Sequence, residues 1–197
     1  MFEINEKSGA PERGSRSDHG HDILVRLQAR FGSLESNRQR QDLLRIEVGQ
    51  DQLLPVLSWL KGDTPYVQLT HLTAVDWIEE DQFELIYLVT APVLFMTLMI
   101  SIRIDRASAT AESVFNLWLQ AETYEQEINE MFGIHFPGSP RQGVPFILEG
   151  WDDMPPMRRD FDTVEYCERT HPERPGRGHT DPRTYVGKMF GEKGYLT

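Results

Sequence analysis

Between positions 96 and 104 the chain changes character at every step: Met96, Leu98, Ile100, Ile102 and Ile104 share one parity, and Thr97, Met99, Ser101 and Arg103 take the other. Successive side chains of a strand point to opposite faces, so this period of two predicts a half-buried strand over 94–105. Stretches 66–76 and 83–90 are similarly rich in Val, Ile, Leu, Tyr and Thr, and 43–48 adds a further strand. The connections Glu79-Glu80-Asp81 and Ala91-Pro92-Val93 are short enough for antiparallel neighbours.

Elsewhere the spacing is helical. Ile23, Leu24, Leu27 and Phe31 predict a helix over 21–31. Leu53, Leu54, Leu57 and Leu60 predict a second one through Lys61, capped by Asp51 and ended by Gly62-Asp63. A third helical region covers 113–131, with Tyr124, Ile128, Met131 and Phe132 as its apolar stripe and Gly133 just past its end. The expected fold class is α+β, with helices packed on a mixed, largely antiparallel sheet.

The apolar pattern is absent at both ends. Residues 1–20 read as a flexible arm, 21–134 as the α+β domain, and 135–197 as an extended C-terminal tail holding eight of the chain's twelve prolines. Phe146, Trp151, Tyr166, Tyr185, Phe190 and Tyr195 are aromatic anchors without period, so this tail cannot build its own core and is expected to lie against another surface.

Charge and cysteine content narrow the partners. With 31 acidic against 20 basic residues the chain of 197 carries a formal charge of −11, which disfavours nucleic acid as a partner. The lone Cys167 excludes an internal disulfide and suits a reducing compartment. The apolar run 86–104 is broken by Pro92, ends near Arg103 and alternates, so no membrane span is expected. The first residues lack the basic and apolar regions of a signal peptide.

Candidate chemistry is sparse. Asp18-His19-Gly20-His21 falls beside the arm, His71 belongs to a strand, and no HExxH, GxSxG, GxGxxG or GxxxxGK[ST] pattern occurs. Asp76, after an apolar strand and beside Trp77, is a candidate acid/base group. Cys167 has acidic neighbours that oppose thiolate formation. Denser charge lies on the third helix, where Glu122, Glu125, Glu127 and Glu130 include two like-charged i, i+3 pairs. That face is either solvated or docks a basic partner. Arg158 and Arg159, behind Pro155-Pro156, suit carboxylate pairing within the chain or with a neighbour.

Glu125-Gln126-Glu127-Ile128-Asn129-Glu130-Met131-Phe132-Gly133-Ile134 resembles the Glu-Arg-Glu-x-x-Asp/Glu-apolar-Phe-Gly-Ile signature of the thirty-kilodalton subunit family of complex I, NADH-quinone oxidoreductase. The segment 69–76 resembles that family's Leu-x-Asp-Leu-Thr-Ala-Val-Asp strand, and Phe136-Pro137-Gly138-Ser139-Pro140 and Met157-Arg158-Arg159-Asp160-Phe161 resemble its later blocks. His71, Gln126 and Ser139 depart from the family's Asp, Arg and His, and Gln142-Gly143-Val144-Pro145 interrupts its Arg-Arg-Ile-Leu segment. The family is shared with membrane-bound energy-converting hydrogenases and formate hydrogenlyases.

The resemblance implies a non-catalytic structural subunit of a hydrophilic arm, peripheral on the cytoplasmic face of the inner membrane. It implies no cofactor on this chain, with iron–sulfur clusters and a quinone or nickel–iron site in partner subunits. The expected partners are the large forty-nine-kilodalton or hydrogenase-like catalytic subunit and cluster-bearing subunits. Glu125, Glu127, Glu130, Phe132 and Gly133, with Arg158, Arg159 and Asp160, are the expected interface and structural residues. The rival readings are a stand-alone hydrolase or metal enzyme using Asp76 and His71, and a soluble acidic adaptor.

Overall fold

The computed structural model describes residues 16–170, with side chains from His19 onward. Five strands form one sheet: β1 (Glu35–Arg40), β2 (Leu43–Glu47), β3 (Gln68–Trp77), β4 (Gln82–Ala91) and β5 (Met96–Asp105). Their spatial order is β1-β2-β5-β4-β3, with β2 and β5 parallel and every other pair antiparallel. The alternation behaves as expected: Leu98, Ile100 and Ile102 are fully buried, and Phe83, Leu85, Tyr87 and Val89 line up beside them on β4.

Three helices complete this α+β core: α1 (Arg16–Phe31), α2 (Leu53–Asp63) and α3 (Ala121–Phe132). Ile23 and Leu27 of α1, Leu53, Val56, Leu57 and Leu60 of α2, and Ile128 and Phe132 of α3 join the strand residues in one hydrophobic cluster. Edge-on aromatic contacts tie the layers, Phe31 to Trp59 at 5.9 Å and Phe83 to Phe132 at 6.2 Å.

Several boundaries differ from the sequence expectation. α1 starts at Arg16, so His19, expected in the loose arm, sits on the helix together with His21; residues 1–15 lie outside the described residues. Gly20 lies close under neighbouring side chains: a Cβ there would stand 2.7 Å from Arg38 Nη2 and 3.3 Å from Met96 Cε. Asp51 does not cap α2: it lies in a 3-10 turn, Gln50–Gln52, and Gln52 precedes the helix without a side-chain cap. β1 was not expected at all. Its six residues, ESNRQR, are exposed and polar, and backbone pairing to β2 holds them extended.

The third helical region is shorter than the 19 residues from 113 to 131, since α3 begins only at Ala121. Residues 113–120 form turns and irregular chain, and two of their side chains reach carbonyls at and just before β3, an edge strand of the sheet. Trp118 Nε1 donates to Val67 O at 2.7 Å, and Gln120 Nε2 to Leu69 O at 2.5 Å. Tyr124 Oη adds a bond to Thr70 O at 3.0 Å, so three outward carbonyls along this edge are occupied by side chains.

The compact unit containing the sheet runs to Asp160. A second unit begins at Phe161, and its described part is dominated by α4 (Thr163–Thr170), a short helix inside the tail. Asp162 Oδ1 accepts from the amides of Val164 and Glu165 at its start, and the Tyr166 ring lies 5.5 Å from Phe161. Tyr185, Phe190 and Tyr195 lie outside the described residues.

Candidate docking junction

α3 ends as expected. Gly133 adopts φ 73°, and its amide closes on Asn129 O at 2.9 Å. A Cβ at Gly133 would also come within 3.0 Å of Arg158 Nη2 and 3.1 Å of Pro155 Cγ, so the backbone favours glycine and any side chain would have to shift these neighbours. Arg158 Nε donates to Phe132 O at 2.7 Å, giving a carbonyl of the last helical turn a cationic partner.

Two of the four acidic residues of α3, Glu125 and Glu130, hold the chain's own backbone. Glu125 is 1% exposed; it accepts from Ser113 Oγ and from the Val114 amide, both at 2.8 Å. Burial pushes its carboxyl above the usual range, opposed by the donors around it. Glu130 gathers three consecutive amides, from Phe146 at 2.8 Å, Ile147 at 2.9 Å and Leu148 at 3.0 Å. Between them Gln126, itself buried, donates to Val144 O at 3.2 Å and Pro145 O at 2.8 Å. Asn129 Oδ1 receives the Gly143 amide at 3.3 Å, and Arg141 Nε reaches Glu122 at 2.6 Å. One side of the helix is thus a template on which 141–148 is laid. Glu127 makes no hydrogen bond or ion pair among the described residues.

A second set of charges closes the same segment onto the sheet. Asp76, with a side chain 1% exposed, accepts from Arg106 Nε at 2.9 Å and Nη2 at 3.1 Å, and from the Arg159 amide at 2.9 Å. Arg106 Nη2 also reaches Asp160 at 2.6 Å, and Arg159 Nη1 pairs with Glu79 at 2.5 Å. Arg106 is held further above its already high pKa, chiefly by Asp76 and then by Asp160. Hydrogen bonding from Arg106 lowers Asp160, and hydrogen bonding from Arg159 lowers Glu79. Phe83 lies between the two systems, with the Arg158 guanidinium 5.3 Å and that of Arg106 5.6 Å from its ring centre.

The structure therefore brings Glu125, Glu130, Phe132, Gly133, Arg158, Arg159 and Asp160 into one junction between α3, the sheet and the segment 134–160. Sequence reasoning missed Arg106, Arg141, Asn129 and the role of Gln126. A signal existed for Arg106: Asp76 has the parity of buried Leu72 and Ala74, and a carboxylate at such a position requires a cation near the strand ends. Asp76 is engaged by Arg106 and the Arg159 amide, and exposed His71 packs edge-on against Tyr124 at 5.4 Å, so the two do not form a shared site. Cys167 is exposed on α4.

Comparison with known proteins places this architecture. Residues 46–167 match the family described as Respiratory-chain NADH dehydrogenase, 30 Kd subunit. One subunit of the F(420)H(2) dehydrogenase of Methanosarcina mazei is 31% identical over 145 residues, covering 71% of this chain and 90% of that protein. One subunit of the NADH-quinone oxidoreductase of Moorella thermoacetica is 30% identical over 142 residues, covering 71% and 93%. Among solved structures, a chain of the membrane-bound sulfane sulfur reductase, an archaeal respiratory membrane complex, superposes with a TM-score of 0.73 at 26% identity, covering 90% of this chain and 99% of that one. A fragment of Nqo5 shares the fold at a TM-score of 0.54 and 15% identity, over 61% of this chain and 96% of that one.

Proposed function

We propose, because the chain belongs to the respiratory-chain NADH dehydrogenase 30 Kd subunit family, that it serves as a non-catalytic structural subunit of a complex I-type membrane oxidoreductase. Its α+β body docks on the large catalytic subunit and the chain beyond α3 clamps it. Electron-carrying iron–sulfur clusters, and the quinone or nickel–iron site, belong to the partner subunits. The subunit is peripheral, on the cytoplasmic face of the membrane; no described helix is long and apolar enough to cross one.

The observation that carries this reading is the use of the motif carboxylates. Asp76, Glu125 and Glu130 bind backbone amides and an arginine of their own chain, which is architectural work and leaves their oxygens engaged. A part built this way can serve complexes with different electron donors. The names of the relatives and of the matched structure differ in donor or acceptor: F(420)H(2) and NADH as donors, quinone and sulfane sulfur as acceptors. That spread favours, as a second reading, the equivalent subunit of a complex that does not use NADH, including an energy-converting hydrogenase or formate hydrogenlyase-like assembly.

Affinity purification of the tagged chain from gently solubilised membranes tests the proposal. Recovery of a large cluster-bearing or nickel-bearing subunit in equal amount is expected, and deleting the chain is expected to release that subunit. Recovery as a monomer with hydrolytic or redox activity of its own would sink the proposal.

A further inference from the structure

The segment 144–148 is built inside out. Its backbone is turned to the protein, with the amides of Phe146, Ile147 and Leu148 on Glu130 and the carbonyls of Val144 and Pro145 on Gln126. Its apolar side chains are turned away: Val144 is 49% exposed, Phe146 37% and Ile147 67%. A loop that satisfies its backbone on a helix would ordinarily bury such residues as well. Met157, 57% exposed, is held at the last turn of α3, where its amide donates to the carbonyl of Met131, the residue after Glu130.

We infer that 144–148 is a preorganised anchor that inserts into an apolar socket with a basic rim on another protein subunit. Five hydrogen bonds to Glu130 and Gln126 hold the loop before any partner arrives, so little conformational entropy remains to be lost on binding. Aliphatic and aromatic side chains fixed in place are what a binding hot spot requires. Charge chooses among occupants. Glu149 and Asp152 are exposed, follow the loop directly, and make no hydrogen bond or ion pair among the described residues. An anionic lipid surface would be repelled by these carboxylates, and a second copy would oppose like with like. A Lys- or Arg-rimmed socket on a different chain complements both the apolar tip and its border.

The inference rests on the proposed membership of a complex, and one experiment separates the two. Ile147 is replaced by the photoreactive p-benzoylphenylalanine in the full chain, the assembled complex is irradiated, and the cross-linked peptide is identified. A peptide of a different subunit that is apolar and flanked by Lys or Arg is expected. In the same preparation Ile147→Asp should weaken assembly at least tenfold, while Val93→Asp, at an exposed position elsewhere, should not. Cross-linking to a second copy, to lipid, or to nothing within an intact complex overturns the anchor, as does unchanged assembly of Ile147→Asp. If the unsubstituted chain recovers no complex, it is the proposed function that fails.

Discussion

Arg106 grips Asp76 with two nitrogens, Nε at 2.9 Å and Nη2 at 3.1 Å, where the carboxylate is 1% and the guanidinium 15% exposed. The pair joins the residue just past β5 to the end of β3, and the Arg159 amide adds the chain beyond α3 to the same carboxylate. Asp76→Ala removes the acceptor of all three bonds and leaves a partly buried arginine with only Asp160. A loss of about 2–3 kcal/mol is expected, read as a lowered urea midpoint at unchanged slope. Asp160→Asn, at the exposed end of the network, should cost much less.

Glu125 gives the chain a pH dependence of unusual sign. Its folded pKa is raised by burial, so between the unfolded carboxylate value of about 4.3 and that higher folded value the native state holds more protons. Stability should therefore fall as pH rises through this window, then level off. The depressed Asp160 and Glu79 act the other way: what they contribute is present above the ordinary carboxylate range and is lost as pH falls through their folded values. Glu125→Gln should abolish the first limb only, at a cost within about 1 kcal/mol, since the amide oxygen can still accept from Val114. Thermal melts of both proteins from acid to neutral pH provide the check.

At Gly133 two costs add. Gly133→Ala must hold φ 73° and displace Arg158 or Pro155, whereas Gly143→Ala faces a similar φ of 74° with nothing within 4 Å of its Cβ. Backbone strain alone is worth about 1–2 kcal/mol, so equilibrium unfolding should rank the two variants with Gly133→Ala clearly worse. Equal losses would mean that the Arg158 contact gives way freely.

Glu130→Ala should loosen the loop without unfolding the body. The amides of Phe146, Ile147 and Leu148 lose their common acceptor, while the core strands keep all their bonds. Hydrogen exchange at those amides should accelerate by an order of magnitude or more, with protection at Ile100 and Tyr87 unchanged.

What the sequence revealed, and what it hid, follows from where each signal resides. Strand β5 was visible because one parity of it is buried, and β3 and β4 because they are rich in Val, Ile, Leu, Tyr and Thr; β1 was invisible because its six residues are polar and exposed. The stretch 113–120 looked helical by composition, yet Trp118 and Gln120 are bonded to the carbonyls of Val67 and Leu69, contacts 51 residues apart that no local pattern reports. The carboxylates of α3 were legible as a cluster but not as a template. Glu125 and Glu130 have the same chemistry as a solvated Glu; only the return of Ser113 and of Phe146–Leu148 to the helix reveals what they hold. The residues of the separate motif blocks do meet in space, Glu127 excepted: the Asp of the strand, Glu125 and Glu130 with Gly133 of the helix, and the Arg-Arg-Asp run.

The Asp76 clasp also closes two loops of very different length on one carboxylate. Arg106 lies 30 residues from Asp76 along the chain, and Arg159 lies 83 away. As the chain is synthesised, Asp76 and Arg106 can pair as soon as β5 has joined β4, neutralising a buried charge while the last strap of chain is still missing. The Arg159 amide closes the larger loop afterwards, onto a carboxylate already oriented to receive it. The shorter closure costs less chain entropy than the longer one, and the carboxylate that receives the Arg159 amide is one that Arg106 by itself can orient.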